Sequence, residues 1–567
     1  MVLLARQLGP ELRHYDAKAI ARYYRSRPLL LIGRALTIAW MLGTFWLRLR
    51  LDARRGLENP HRNTRARELR EILTHLGPTF IKVGQALSTR PDLVRRDFLE
   101  ELVKLQDQLP PFDNHRAWAT IQQELGRPVR EIYHEISPQP VAAASLGQVY
   151  RAVLKTGDTV AVKVQRPQLV PRLTLDLCLM RWAAGAFGKL LPLNLGHDLR
   201  AIVDEFGNKL FEEIDYLNEG RNAEKFAANF RDDPTVKVPS IFWRYSSRRV
   251  LTLEWIDGYK LTDTEQIRAA NLDENALVEI GVVAGLRQLL EHGFFHADPH
   301  PGNLFAMPDG RVAYVDFGMM DQLDEPTKET LASAIVHLVN RDYLNVALDF
   351  ITLGFLTPEV QVEAVVPALE RAFDNALGES VRDFNFKSIT DDFSVLMYDY
   401  PFRIPAKFAL IIRSLVTQEG LALSLNPDFK IVEVAYPYVT RRLLQGESSE
   451  MRRRLVEVLF KNGKFQWQRL ENMLAIARMS SSSSQASFDL LPTARLGLQY
   501  LLSDEGRYLR HQVVLALVED DRLHTEEVGR LWELVKDDLA PRRLMDYALA
   551  SLRELSTESA IKTAAVS

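Results

Sequence analysis

The stretch from His296 to Gly318, H-A-D-P-H-P-G-N-L-F-A-M-P-D-G-R-V-A-Y-V-D-F-G, constrains this chain more than any other. Asp298 and Asn303 stand five residues apart, and Asn303 and Asp316 thirteen. Pro308-Asp309-Gly310 is a turn signal, and Arg311 to Val315 alternates loosely with apolar residues. This pattern predicts a short hairpin that returns Asp316 to the side of Asn303. Oxygen-bearing side chains gathered at one turn suit a hard divalent cation. A rival reading takes His296, Asp298 and His300 as transition-metal ligands. It accounts for neither Asn303 nor the D-F-G, and it ranks behind. A core turn without chemistry would explain a lone D-F-G, but not Asp, Asn and Asp in this register.

The spacing resembles the catalytic loop H-R-D-x-x-x-x-N and the D-F-G of protein kinases. That resemblance implies that Asp298 orients the nucleophile as a base. It also implies that Asn303 and Asp316 hold Mg²⁺ on the phosphates of ATP. A second segment agrees with the first. V-A-A-A-S-L-G-Q-V-Y-R-A-V-L, a T-G-D turn and T-V-A-V-K-V read as a small-residue loop, a strand, a tight turn and a strand. Lys163 in V-A-V-K has apolar neighbours on both sides, so a lysine on a solvent face is the weaker account. In the kinase comparison it contacts the α- and β-phosphates and needs a carboxylate on a facing helix.

The loop departs from protein kinases. Ala142, Ala143, Ala144 and Ser145 stand where glycines are expected, and Gly147 alone remains. A Cβ limits positive φ and holds backbone away from a ligand, so the phosphates are covered differently here. Residues 197–226 read as one helical stretch offering Glu212, Glu213, Asp215 and Glu219. Asp215 and Glu219 lie at i, i+4, where like charges repel unless cations meet them; Lys163 and Lys82 are the candidates. Glu254 to Asp257, with Ile256 between, reads as a hinge whose backbone binds adenine. A helix over Glu325 to Val339 follows the D-F-G almost at once, without an A-P-E or a long activation segment. Ala297 replaces the arginine of H-R-D. Both features argue against a peptide-docking platform switched by phosphorylation.

The chain of 567 residues is long enough for several domains, and its net charge of −3 gives no sign of a nucleic-acid partner. One cysteine excludes an internal disulfide and fits a reducing, cytoplasmic setting. Leu29 to Leu47 is 19 residues long and interrupted by Arg34. With Trp40, Trp46 and flanking arginines, it reads as an interfacial helix drawn to anionic lipid rather than a span. Residues 64–126 read as helices broken at Gly77-Pro78 and at Leu109-Pro110-Pro111. Residues 340–475 read as largely helical. Ser480 to Ser484 form a linker, and roughly 488–557 a smaller helical region.

With these residues in view, the chain resembles the AarF/UbiB family of atypical kinase-like proteins from about Arg67 to Leu444. K-V-G-Q (Lys82 to Gln85) matches the family's K-x-G-Q, and the alanine loop replaces the kinase glycines as it does there. E-I-D (Glu213 to Asp215) matches its E-x-D, and Glu219 falls where the partner of Lys163 belongs. H-A-D-P-H-P-G-N and D-F-G match its catalytic and metal motifs. The resemblance implies an α+β, bilobal protein-kinase-like fold: a segment 1–60 at the membrane, a helical K-x-G-Q extension 61–126, a small lobe 127–258, a helical large lobe 259–479 and a helical C-terminal region 480–567. It implies that K-x-G-Q, through Lys82 and Gln85, packs over the substrate cleft and meets Glu213 and Asp215. It further implies ATP binding and hydrolysis with Mg²⁺, peripheral membrane association, and a role in prenylquinone biosynthesis or homeostasis. Membrane lipid, a prenylquinone-related small molecule and protein partners in quinone metabolism are the expected contacts. The hydrophobic N-terminus resembles that of bacterial, including cyanobacterial, members. Two classes of function remain: an ATPase or small-molecule or lipid kinase, and a nucleotide-regulated pseudokinase scaffold, with a protein kinase as a further alternative.

Overall fold

The computed structural model describes residues 12–56, 62–88, 94–106, 111–187, 199–297, 301–339, 341–377 and 405–426, with isolated positions beyond. The fold is α+β, and its contacts gather into two compact units. The first comprises Met1–Gly281, Phe294–Gln322 and Pro405–Pro427, and it carries every described site residue.

That unit opens with helices. α1 (Ala17–Arg25) starts on Asp16, whose carboxylate accepts the N–H groups of Lys18 and Ala19 at 2.9 Å each, satisfying donors a helix start leaves open. α2 (Pro28–Arg55) has proline in its first turn, where no N–H is missed, and ends on Gly56 in the left-handed conformation. α3 (Arg62–Leu76) and α4 (Pro78–Leu87) are separated at Gly77, whose φ of 100° suits glycine. The break falls where the sequence predicts it. α5 (Arg96–Val103) and α6 (Asn114–Leu125) follow.

One face of α2 is packed and the other is bare. Ile38, Met41, Leu42, Phe45 and Leu49 lie against a cluster that includes Leu73, Leu76, Phe80 and Ile81 of α3 and α4. Leu29, Leu36, Trp40 and Leu47 face solvent, and Trp40 is 74% exposed. Arg34, expected as an interruption of the apolar run, has a definite partner. Its guanidinium binds both oxygens of the fully buried Asp176, at 2.7 and 3.0 Å, and the Leu76 carbonyl at 2.6 Å. By length and composition α2 could cross a membrane, as could the helix Ala406–Leu425.

After a short turn, α7 (Val129–Ile132), the chain builds a five-stranded sheet from β1 (Tyr133–Ile136), β2 (Ala142–Ala143), β3 (Gly147–Leu154), β4 (Thr159–Gln165) and, after a two-residue strand β5 (Val236–Lys237) of another sheet, β6 (Val250–Glu254). All of its pairings are antiparallel, in the order β1-β3-β4-β6 with β2 on β3. Gly157 makes the β3–β4 turn with φ 97°. Alternation then sorts the side chains of β4. Val160, Val162 and Val164 are wholly buried against Ala117 and Ile121 of α6, so Lys163 points to the opposite face. α8 (Leu169–Phe187) follows. The stretch read as one helix over 197–226 is two, α9 (Leu199–Glu213) and α10 (Tyr216–Asn229). Asp215 breaks it by capping α10, accepting the Leu217 N–H at 3.2 Å.

The second unit comprises Val282–Gly293, Leu323–Ile404 and Asp428–Ser567. It includes the expected helix Glu325–Val339, then helices Tyr343–Thr352 and Val362–Leu377. The strand pair Phe460–Lys461 and Lys464–Phe465 departs from the helical expectation for 340–475. The serine linker and almost all of the C-terminal region lie outside the described residues.

Candidate active site

The predicted hairpin forms. Leu304–Ala306 pairs antiparallel with Val312–Tyr314, and the Met307 N–H donates to the Arg311 carbonyl at 2.9 Å. Val315 N–H donates to the Asn303 carbonyl at 3.2 Å. The hairpin thus sets Asn303 beside Asp316: Nδ2 of the amide donates to Oδ2 of the carboxylate at 3.1 Å. The other oxygen, Oδ1, accepts the Gly318 N–H at 3.1 Å. Phe317 between them is buried against Phe226, with centroids 5.3 Å apart, and its carbonyl accepts from Asn222 at 3.1 Å. The aspartate is held by packing on one side and backbone on the other.

Lys163 reaches this aspartate from β4. Its Nζ lies 2.7 and 2.9 Å from the two oxygens of Glu219 on α10, and 3.4 Å from Oδ1 of Asp316. Glu219 is therefore the facing-helix carboxylate. Burial disfavours the charge on Lys163, but Asp316 and Glu219 together outweigh it and hold the amine well above its ordinary pKa. Burial pushes Glu219 up to about 7, resisted by Lys163 and reinforced by Asp316. Asp316 is drawn below the usual carboxylate range: burial opposes its charge, and Lys163, His296 and the Gly318 N–H overcome it. Its side chain is 36% exposed against 3% for Glu219, so Asp316 is the carboxylate open to a ligand.

A second ion pair joins this group. Nζ of Lys82 on α4 donates to Oε1 of Glu213 at the end of α9, both nearly buried. A Cβ on Gly318 would meet Asp316, Glu213 and Glu219 within 3.9 Å, so the three carboxylates converge around one glycine. The expectation that Lys82 meets both acids of E-I-D is corrected here. Asp215 caps α10 and faces Arg248 at 3.8 Å. Its short side chain is already used by the N–H of a helix start. Gln85 is buried and donates to the Leu105 carbonyl at 3.1 Å, inside the helical extension.

The alanine loop is a tight turn. Ala142 and Ala143 pair with Val149 and Gln148, the Ala144 N–H donates to the Gly147 carbonyl at 2.8 Å, and Ser145 is buried. A side chain at Gly147 would run into the Val164 carbonyl and the Tyr216 hydroxyl. Tyr216 was not singled out by the sequence. It is buried, and Lys163 Nζ stands 5.2 Å from its ring centre; its place directly after E-I-D was the available signal. At the hinge, the N–H groups of Glu254 and Trp255 donate to the Ser240 and Thr159 carbonyls at 2.9 and 3.1 Å. The Glu254 carboxylate binds Lys237 at 2.8 Å, and Ile256 is buried. Asp298, Pro299 and His300 lie outside the described residues.

A strand lysine clasped by a helix glutamate and facing a D-F-G aspartate beside an asparagine defines a kinase-like class of protein. Comparison with known proteins narrows the class. Residues 104–349 match the ABC1 atypical kinase-like domain and residues 369–430 the UbiB helical domain. The Synechocystis protein slr1919 is 68% identical over 545 residues, covering 96% of this chain and 95% of that one. ACTIVITY OF BC1 COMPLEX KINASE 1, chloroplastic, of Arabidopsis thaliana is 48% identical over 527 residues, covering 91% and 77%. The Arabidopsis protein ACTIVITY OF BC1 COMPLEX KINASE 3, chloroplastic, is 44% identical over 501 residues, covering 88% and 70%. The chain belongs to the ABC1, or AarF/UbiB, family of atypical kinase-like proteins.

Proposed function

We propose that this protein binds Mg-ATP and cleaves its terminal phosphoryl group, passing it to water or to a small lipid-derived acceptor at a membrane surface. The observation that carries the reading is Lys163 held between Glu219 and Asp316, with Asn303 against the same aspartate. Such a lysine is positioned for nucleotide phosphates, and its glutamate fixes its direction. Three carboxylates, Glu213, Glu219 and Asp316, face two ammonium groups, Lys82 and Lys163. The partly exposed carboxylate of Asp316 suits a divalent cation. Asn303 and Asp316 would hold Mg²⁺, with phosphate oxygens and water completing its shell. When bound, the ion would neutralise phosphate charge and orient the chain of oxygens. Asp298 keeps its proposed role as the base that orients the nucleophile. Among hinge groups, the backbone at Ile256 is the better candidate for adenine, since Glu254 and Trp255 already donate elsewhere. The turn at Ala142–Gly147 is the proposed cover for the phosphates.

Two features favour a small acceptor over a protein. The Lys82–Glu213 pair ties α4 down beside the lysine and the D-F-G, and the helix Glu325–Val339 follows the D-F-G closely. The bare face of α2 supports membrane association lying in the interface: its opposite face is occupied by the protein's own core, and Arg34 is locked to Asp176. A prenylquinone-related acceptor or regulator is the reading that the family resemblance supports. The test is Mg²⁺-dependent phosphate release from purified protein, with and without anionic liposomes and a water-soluble quinone-precursor mimic. Release stimulated by both additives supports the proposal. No release under any of these conditions, with nucleotide still bound, favours the nucleotide-regulated scaffold.

A further inference from the structure

Tyr216, the first residue of α10, is only 1% exposed, yet its hydroxyl makes no hydrogen bond among the described residues. Burying an unpaired hydroxyl is costly, so one that a fold retains calls for an explanation. The backbone fixes its place. The Tyr216 N–H donates to the Arg248 carbonyl at 3.2 Å, and Asp215 before it caps the helix. The sheet shows what the hydroxyl faces. Gly147 pairs with Gln165 and Val149 with Lys163, and residues directly opposite, or two apart on one strand, share a face. Gly147 and Lys163 therefore look out from the same side of the sheet. Where a side chain at Gly147 would stand, the Tyr216 hydroxyl stands instead. The ring of the same tyrosine lies 5.2 Å from Lys163 Nζ. The phenol thus reaches from the site lysine to the end of the alanine turn.

Its surroundings keep the proton on that hydroxyl. Burial foremost raises its pKa above the ordinary phenol value; Lys163 opposes the shift, and Glu219, Asp316 and Glu213 add to it. The group is a donor with nothing to donate to. We propose that Tyr216 is a nucleotide-binding residue, its hydroxyl donating to a phosphate oxygen held between Lys163 and the alanine turn. The inference rests on the nucleotide reading above and deepens it by adding a phosphate contact. A phosphate oxygen is the acceptor that the position selects. Lys163 and the turn are the two elements assigned to the phosphates, and the hydroxyl lies between them. A hydrogen bond to a charged oxygen is stronger than one between neutral groups, which offsets the cost of keeping the hydroxyl buried. The donor is then satisfied only with nucleotide in place. The contact therefore adds to affinity and adds nothing to the stability of the free protein.

The test is Tyr216→Phe, which removes the hydroxyl and keeps the ring. Full-length wild type and variant are compared by thermal unfolding without nucleotide, and by calorimetric titration with Mg-ATP and with adenosine. The expected unfolding temperature of the variant equals or exceeds that of wild type. Its affinity for Mg-ATP should fall by about tenfold or more, with affinity for adenosine unchanged. A lower unfolding temperature would mean that the hydroxyl serves the free fold, and would overturn the inference. Equal Mg-ATP affinity in the two proteins would overturn it too, as would an equal loss for adenosine, which carries no phosphate. Wild type that binds no Mg-ATP would refute the nucleotide reading itself and this inference with it, an outcome distinct from equal binding by both proteins.

Discussion

Glu219 and Lys163 form a two-point contact, 2.7 and 2.9 Å from ammonium to carboxylate, inside a site that buries the acid almost entirely. The lysine keeps its proton and the glutamate is pushed up to about 7. The folded state therefore holds a proton on Glu219 that the unfolded chain has released by about pH 4.5, the ordinary carboxylate range. Its contribution to stability falls as pH rises from that value toward 7. Glu219→Gln removes this titration. The variant should gain stability relative to wild type as pH is raised from 5 to 7.5, while losing nucleotide turnover by about a hundredfold. Thermal unfolding at both pH values checks the first, and a parallel pH dependence of the two proteins contradicts it.

Lys82 and Glu213 should behave as a unit. Removing Glu213 leaves the nearly buried Lys82 ammonium without its carboxylate, costing about 3 kcal/mol. Residues in contact give non-additive effects of about 0.5–3 kcal/mol in a double-mutant cycle. Lys82→Ala, Glu213→Ala and the double variant are to be compared by denaturant unfolding and by ATP turnover, including transfer of phosphate to the protein itself. Simple additivity in both measurements would mean that the contact does not hold the site closed.

The two faces of α2 should separate in experiment. Trp40→Ser and Leu36→Ser lie on the bare face and should weaken co-sedimentation with anionic liposomes, with unfolding temperature unchanged. Arg34→Ala leaves the buried Asp176 without its guanidinium and should destabilise by about 3 kcal/mol. Liposome binding that survives removal of residues 28–50 would refute the docking role. Resistance of bound protein to high salt and carbonate would instead mark α2 as a span.

Much of the site was legible because its signals are local. V-A-V-K alternates, so Lys163 had to face away from Val162 and Val164. The Pro308-Asp309-Gly310 turn fixes a hairpin whose ends are Asn303 and Asp316. What was not legible depends on distant partners. Arg34 reads as a flaw in an apolar run until Asp176, 142 residues on, is seen beneath it. Asp215 reads as a match for Lys82, yet two residues after the end of α9 a short carboxylate serves better as a cap, and Glu213 is left for the lysine. The same break turns Glu219 toward Lys163. Tyr216 carried no motif of its own, since its role comes from the space above Gly147.

The central claim is that Asp316, beside Asn303 and within reach of Lys163, receives the metal-bound phosphates of a nucleotide. The most direct test is the affinity of ATP, with and without Mg²⁺, for wild type and Asp316→Asn at pH 7.5. The predicted result is Mg²⁺-dependent binding by wild type and a loss of at least a hundredfold in the variant, which cannot neutralise phosphate charge through the ion. Equal Mg-ATP affinity in the two proteins would contradict the account.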